Sequence, residues 1–106
     1  MPDMNGPTYF ILTQRPGPKW VEGVVYNEQP EFWTHVKYME EIHATGNVVL
    51  SGPFMVTPGG AMADGGMTII KNITLEEANE IAAADPTVKS GMIYTDVKPW
   101  WIPFHD

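Results

Sequence analysis

Met67–Pro86, MTIIKNITLEEANEIAAADP, holds two elements in twenty residues. Met67-Thr68-Ile69-Ile70-Lys71 is a short apolar, β-branched run and reads as a strand. Thr74-Leu75-Glu76-Glu77 then has the form of a capping box: the threonine hydroxyl meets the third amide of a helix, and the glutamate reaches back. Leu75, Ala78, Ile81 and Ala82 recur at helical spacing and define the stripe to be buried. Asp85-Pro86 ends the helix, because proline disfavours helical geometry in the residue before it.

Outward from this stretch, Gly91 precedes a last strand over Met92–Lys98, so the second half is strand, helix, strand. The first half is built alike, without sequence identity to the second. Thr8–Gln14 is a strand apolar on both faces, with Tyr9 and Ile11 on one and Phe10 and Leu12 on the other. Arg15–Gln29 is a long connection containing Pro16-Gly17-Pro18, of a length that is usually functional or disordered. In it, Val24-Val25-Tyr26 offers local packing. A helix over Pro30–Thr45 follows, with Phe32, Val36, Met39 and Ile42 on an apolar stripe beside His35 and His43. Gly46 stops it, Val48–Leu50 forms a short buried strand closed by Ser51-Gly52-Pro53-Phe54, and Thr57–Gly66 is a flexible hairpin connection. Residues 1–7 read as a loose arm, and Pro99–Phe104 as an aromatic tail that must dock somewhere.

The order βαββαβ predicts one α+β domain over residues 1–106, ferredoxin-like, with an antiparallel sheet and two helices on one face. Right-handed crossovers make the first and second strands parallel to one another and opposite to the third and fourth. The start of the first helix then shares an end of the molecule with the finish of the second. His35 and Asp85, far apart in sequence, belong to that end with Gln14, Arg15 and the Ser51–Phe54 turn. Helices cover only one sheet face, so a second copy of the sheet is the simplest cover for the other.

Histidine titrates near pH ~6.5 and exchanges a proton readily at neutral pH. A carboxylate bonded to one ring nitrogen fixes the tautomer and stabilises the imidazolium. His35 and Asp85 are therefore the candidate general acid/base and its orienting partner. Trp33, Tyr38 and Phe54 are candidate pocket walls, Ser51 a hydrogen-bond donor, and Arg15 a holder of an anionic group. The structural alternatives are a core histidine bonded to a carbonyl and an aspartate that only ends its helix. His43 lies about two turns from His35, too far for shared metal coordination. The paired glycines lack the strand–helix setting of a phosphate loop.

Bulk properties narrow the function classes. The 106 residues carry a net charge of −7 with no Lys/Arg cluster, which argues against a nucleic-acid footprint. Cysteine is absent, so thiol chemistry is excluded. No apolar run approaches ~18 residues, and the first residues lack the pattern of a signal peptide, so a cytoplasmic protein is expected. A chain this short buries only about 60–70% of its extended surface, and a partner subunit would help.

Taken together, the histidine in Trp33-Thr34-His35-Val36-Lys37-Tyr38-Met39, the Ser51-Gly52-Pro53 turn and Asp85-Pro86…Gly91 before a strand ending in Pro99-Trp100 resemble the YCII-related (YciI-like) family. The resemblance runs from Tyr9 to Trp100. It implies a dimeric α+β barrel, two ferredoxin-like sheets face to face, with a His–Asp site that maps onto His35 and Asp85. It also implies chemistry on small hydroxylated aromatic compounds, including halide elimination. The expectation is a homodimeric lyase or isomerase without a redox cofactor. Its rivals are a non-catalytic small-molecule-binding or accessory subunit and, by fold analogy alone, a cofactor-independent oxygenase.

Overall fold

The computed structural model describes residues 1–106. Four strands, β1 (Thr8–Pro16), β2 (Val48–Met55), β3 (Met62–Ile70) and β4 (Ile93–Trp101), form one antiparallel sheet in the order β2-β3-β1-β4. Helices α1 (Phe32–His43), α2 (Leu75–Ala84) and the short α3 (Pro86–Ser90) complete it. This is the ferredoxin-like α+β arrangement expected from the element order. No helix is long and apolar enough to cross a membrane.

Strand alternation sorts the side chains. Phe10, Leu12 and Gln14 of β1 are buried under the helices, and register places Ile70, Thr68 and Gly66 of β3 beside them. Phe10, Leu12, Ile70, Ala78 and Ala82 form an aliphatic core, where the alanines let α2 approach the sheet closely. The other face carries Tyr9, Ile11, Met67, Tyr94 and Trp100 with no helix over it. The capping box of α2 is present: Glu77 N donates to Thr74 Oγ1 at 3.1 Å, and Thr74 N to Glu77 Oε1 at 2.9 Å.

Several boundaries differ from the sequence reading, each for a local reason. Helix α1 begins at Phe32, because Tyr26–Glu28 already form a 3-10 turn that Gln29 and Pro30 leave. Strand β2 runs on to Met55, and its Val49 and Leu50 are exposed, since it is the sheet edge and α1 stands away from it. The supposed flexible connection contracts to a turn closed by Val56 N donating to Ala61 O at 2.9 Å. Gly65 and Gly66 lie buried inside β3. A side chain on Gly66 would strike Gly52 O, and one on Gly65 would strike Gln14 O, so glycine here permits close strand approach.

The tail joins β4 through Pro99–Trp101, then turns so that Ile102 is buried and its N–H donates to Pro7 O at 2.8 Å. The expected loose arm is pinned against it, with Asp3 N donating to Pro103 O at 2.7 Å. Leu75, expected in the buried stripe, is exposed: it is the first residue of α2, beyond the sheet's cover.

Candidate functional site

The break at Asp85-Pro86 positions the site. Asp85 ends α2 in an extended conformation and caps α3, whose first residue is Pro86. Its Oδ1 accepts from Thr87 N at 2.9 Å and Thr87 Oγ1 at 2.7 Å. That leaves Oδ2 aimed at α1, where His35 Nδ1 lies 2.6 Å away. His35 and Asp85 are 8% and 3% exposed. Helix α1 is held against α3 by Ser90 Oγ donating to Glu31, so the pair spans two elements locked by their own contacts.

Burial on its own would raise the Asp85 carboxyl. The hydrogen bonds from His35 and Thr87 and the adjacent imidazole outweigh it, and the group sits below the ordinary carboxylate value of 3.8. An ionised carboxylate only accepts hydrogen bonds, so Nδ1 carries a proton and Nε2 of the neutral ring carries the lone pair. Every sealed side-chain nitrogen or oxygen has a protein partner. His35 Nε2 has none, and it opens onto a cavity of about 500 Å³ that His35 lines.

This cavity lies between α1 and β2. Phe32, Val36, Met39, Glu40 and His43 form the α1 wall, Val48 to Pro53 form the β2 wall, and Gln14 and Gly66 belong to the floor. Val36 and Met39 of the apolar stripe line this space, and Val36 also packs against the cluster of Tyr26, Phe32, Met92 and Ile93. Glu40 is the single fixed charge on the lining.

Tyr26, from the long connection, closes one side. It is 2% exposed, packs edge-on against Phe32 at 5.1 Å between centroids, and sits 6.2 Å from the His35 ring. Burial, then the negative Asp85, raises its phenol far above the ordinary value, so it stays a hydrogen-bond donor. No protein group bonds its hydroxyl, which therefore also opens onto the cavity. Gln29 fixes the connection: its Oε1 accepts from Val21 N, and its Nε2 donates to Val21 O at 2.9 Å and Val24 O at 2.7 Å.

Of the residues singled out by sequence, the structure brings His35, Asp85 and Ser51 together. Ser51 lines the cavity and bonds Thr68 Oγ1 at 2.8 Å. Arg15 is not there. It follows the inward Gln14, so alternation sends it to the opposite face, where it pairs with Asp96 at 2.9 Å and covers the Tyr94 ring at 4.3 Å. Trp33 is one residue past the inward Phe32 and points to solvent, 72% exposed. Tyr38 ties the helices together by donating to Ile81 O at 2.6 Å; burial, with Asp85 and Glu41 nearby, raises its phenol to about 12. Phe54 is exposed on β2, beyond the cavity's lining.

Sequence reasoning gave Tyr26 local packing but no place at the site, and missed Thr68 and Thr87. Thr87 had a readable signal, since an aspartate followed two residues later by threonine after proline suits a cap. Thr68 had one too, as the polar residue of an apolar strand.

The YCII-related domain family matches residues 11–101. The uncharacterized protein YjpA of Bacillus subtilis (strain 168) is 35% identical over 93 residues, covering 88% of this chain and 93% of that one. Among solved structures, 5-chloro-2-hydroxyhydroquinone dehydrochlorinase (TftG) from Burkholderia phenoliruptrix AC1100, in complex with 2,5-dihydroxybenzoquinone, superposes with a TM-score of 0.65. It covers 87% of this chain and 92% of its own at 21% identity, a likeness of fold.

Proposed function

We propose that this chain, which belongs to the YCII-related family, is a small enzyme in which His35 moves a proton on a hydroxylated aromatic or cyclic metabolite. The observation that carries this reading is the buried 2.6 Å bond from His35 Nδ1 to Asp85, which leaves Nε2 as a base at the cavity. The reaction is of lyase or isomerase type. Nε2 takes a proton from substrate, Asp85 steadies the imidazolium, and the proton returns to carbon or follows a departing anion to solvent. Tyr26 donates a hydrogen bond that remains available throughout, because its phenol does not ionise near neutrality.

The substrate class has two supports. The cavity is mostly apolar with a few polar groups, and about 500 Å³ suits a single substituted ring. The dehydrochlorinase of like fold acts on a chlorinated hydroxyhydroquinone, as its name states. With Arg15 on the other face and Glu40 on the lining, the cavity favours uncharged hydroxylated rings over carboxylates.

The working unit in this proposal is a homodimer joined through the uncovered sheet face. Tyr9, Ile11, Met67 and Trp100 form an apolar surface there that a second copy would bury. Light scattering should give twice the mass of the chain, and Ile11→Asp should give the monomer.

The test of function is turnover of chlorinated and non-chlorinated hydroxyhydroquinones, read as halide release or tautomer spectrum, by wild type and His35→Gln. The expected result is turnover by wild type and a loss of about 10²–10⁴-fold in the variant. Undiminished activity in His35→Gln would remove the mechanism. Tight binding without turnover by wild type would make the protein a binding or accessory subunit.

A further inference from the structure

Three polar side chains meet on the helix-facing side of three adjacent strands. Gln14 Nε2 of β1 donates to Thr68 Oγ1 of β3 at 3.3 Å, and Thr68 Oγ1 lies 2.8 Å from Ser51 Oγ of β2. Ser51 and Thr68 are directly opposed in the strand register, while Gln14 opposes Gly66, which places no side chain over the floor. Gln14 and Thr68 are 5% and 1% exposed. Thr68 is absent from the lining, whereas Gln14 and Ser51 both reach it, so Thr68 connects the two from beneath.

A hydroxyl has one donor and two acceptor sites, and a carboxamide has one end of each kind. The chain can therefore run in either of two senses without moving the backbone. In one, Gln14 Nε2 donates to Thr68, Thr68 donates to Ser51, and Ser51 donates into the cavity beside the accepting Gln14 Oε1. In the other, Ser51 donates to Thr68, Thr68 donates to a turned Gln14 Oε1, and the Gln14 amide donates into the cavity beside an accepting Ser51 Oγ. Turning the amide about its last bond and rotating two hydroxyl protons interconverts them. In both senses the floor offers one donor and one acceptor; only their positions exchange.

We propose that the Gln14–Thr68–Ser51 chain is a reversible relay that reads a conjugated hydroxyl–carbonyl pair on the substrate ring. This deepens the reading of the cavity as a substrate site and rests on it. In such a substrate, HO–C=C–C=O becomes O=C–C=C–OH when the proton leaves one oxygen and arrives at the other. The first O–H pair becomes a C=O bond, the double bond shifts by one position, and the former carbonyl pair takes the proton, with no change in oxidation state. The donor and acceptor sites of the ligand exchange, and the relay exchanges with them. The floor thus holds both tautomers, while His35 carries the proton.

Ser51 and Gln14 touch the ligand, and Thr68 is the positioning residue that links their senses. Calorimetry on the full chain tests this with the enol of 1,3-cyclohexanedione, a ring bearing HO–C=C–C=O, at a pH acid enough to keep it protonated, and with its methyl ether, which has lost the donor. Wild type should bind the enol at least about tenfold more tightly than the ether, since an unmatched polar partner in a closed site is penalised. Thr68→Val, which keeps the shape and removes the hydroxyl, should weaken the enol about tenfold and leave the ether unchanged. Thr68→Ser should restore the difference, and Ser51→Ala, on the edge strand, should abolish it as Thr68→Val does.

His35→Gln should keep the preference for the enol over its ether, so loss of the catalytic proposal would not be mistaken for loss of this one. The relay is overturned if wild type does not discriminate or binds neither probe. It is equally overturned if Thr68→Val binds both as wild type does, or weakens both alike.

Discussion

The molecule has two hydrophobic clusters under its helices, and they are built for different ends. One, of Phe10, Leu12, Ile70, Ala78 and Ala82, joins the sheet to α2, and its buried residues are all apolar. The other, of Tyr26, Phe32, Met92 and Ile93, is half aromatic, draws on the long connection, and packs beside His35. The first comes from strand and helix periodicity. The second encloses a buried polar pair and leaves a cavity at its margin. Aliphatic packing and the aromatic packing beside the candidate site thus lie along the same two layers, with Val48 bordering both the aliphatic cluster and the cavity.

That contrast can be broken from either side. The largest effect belongs to the aromatic side: Asp85→Asn should lower kcat/KM by about 10²–10⁴-fold, because the amide no longer enforces a proton on Nδ1. Steady-state kinetics on a turned-over substrate checks it. On the aliphatic side, Ile70→Ala should cost about 2–5 kcal/mol in denaturant unfolding, from lost transfer energy and the cavity left behind. Ligand affinity of the folded fraction should fall far less than stability, since Ile70 opposes the lining residue Val48 but does not itself reach the cavity.

Smaller changes sharpen the comparison. Tyr26→Phe keeps the aromatic packing and removes one donor, so affinity for a hydroxylated ligand should fall by about 0.5–1.5 kcal/mol while the unfolding midpoint stays close to wild type. Acid titration should show the smallest effect. The folded Asp85 carboxyl lies below 3.8, so its contribution is complete above that pH. As pH falls past 3.8 the unfolded chain takes up a proton first, and the contribution shrinks until the folded carboxyl protonates too. Unfolding curves of wild type should therefore lose stability across this acid range more steeply than those of Asp85→Asn.

Much of this was legible in the residues. The capping box at Thr74, the helix stop at Asp85-Pro86 and the apolar runs gave the element order, and handedness then placed His35 and Asp85 at one end. Strand lengths were less legible, because Gly65 and Gly66 signal flexibility in isolation, and only the neighbouring backbone shows why they sit in a strand. Arg15 was misplaced for want of one fact, the parity of β1: once Gln14 points inward, its neighbour cannot. Trp33 and Phe54 drew attention as aromatics, although residues one step from an inward position face out. Tyr26 was hidden in a connection without periodicity, and its role depends on how Gln29 folds that connection back.

The central claim is that Asp85 holds His35 with its proton on Nδ1 and its lone pair on Nε2 at the cavity. Nitrogen-15 NMR of histidine-labelled protein, at a pH where the ring is neutral, reads this directly. The account predicts a protonated Nδ1, its proton shifted downfield by the bond to Asp85, and an unprotonated Nε2, a pattern lost in Asp85→Asn. A neutral ring with its proton on Nε2 would contradict it.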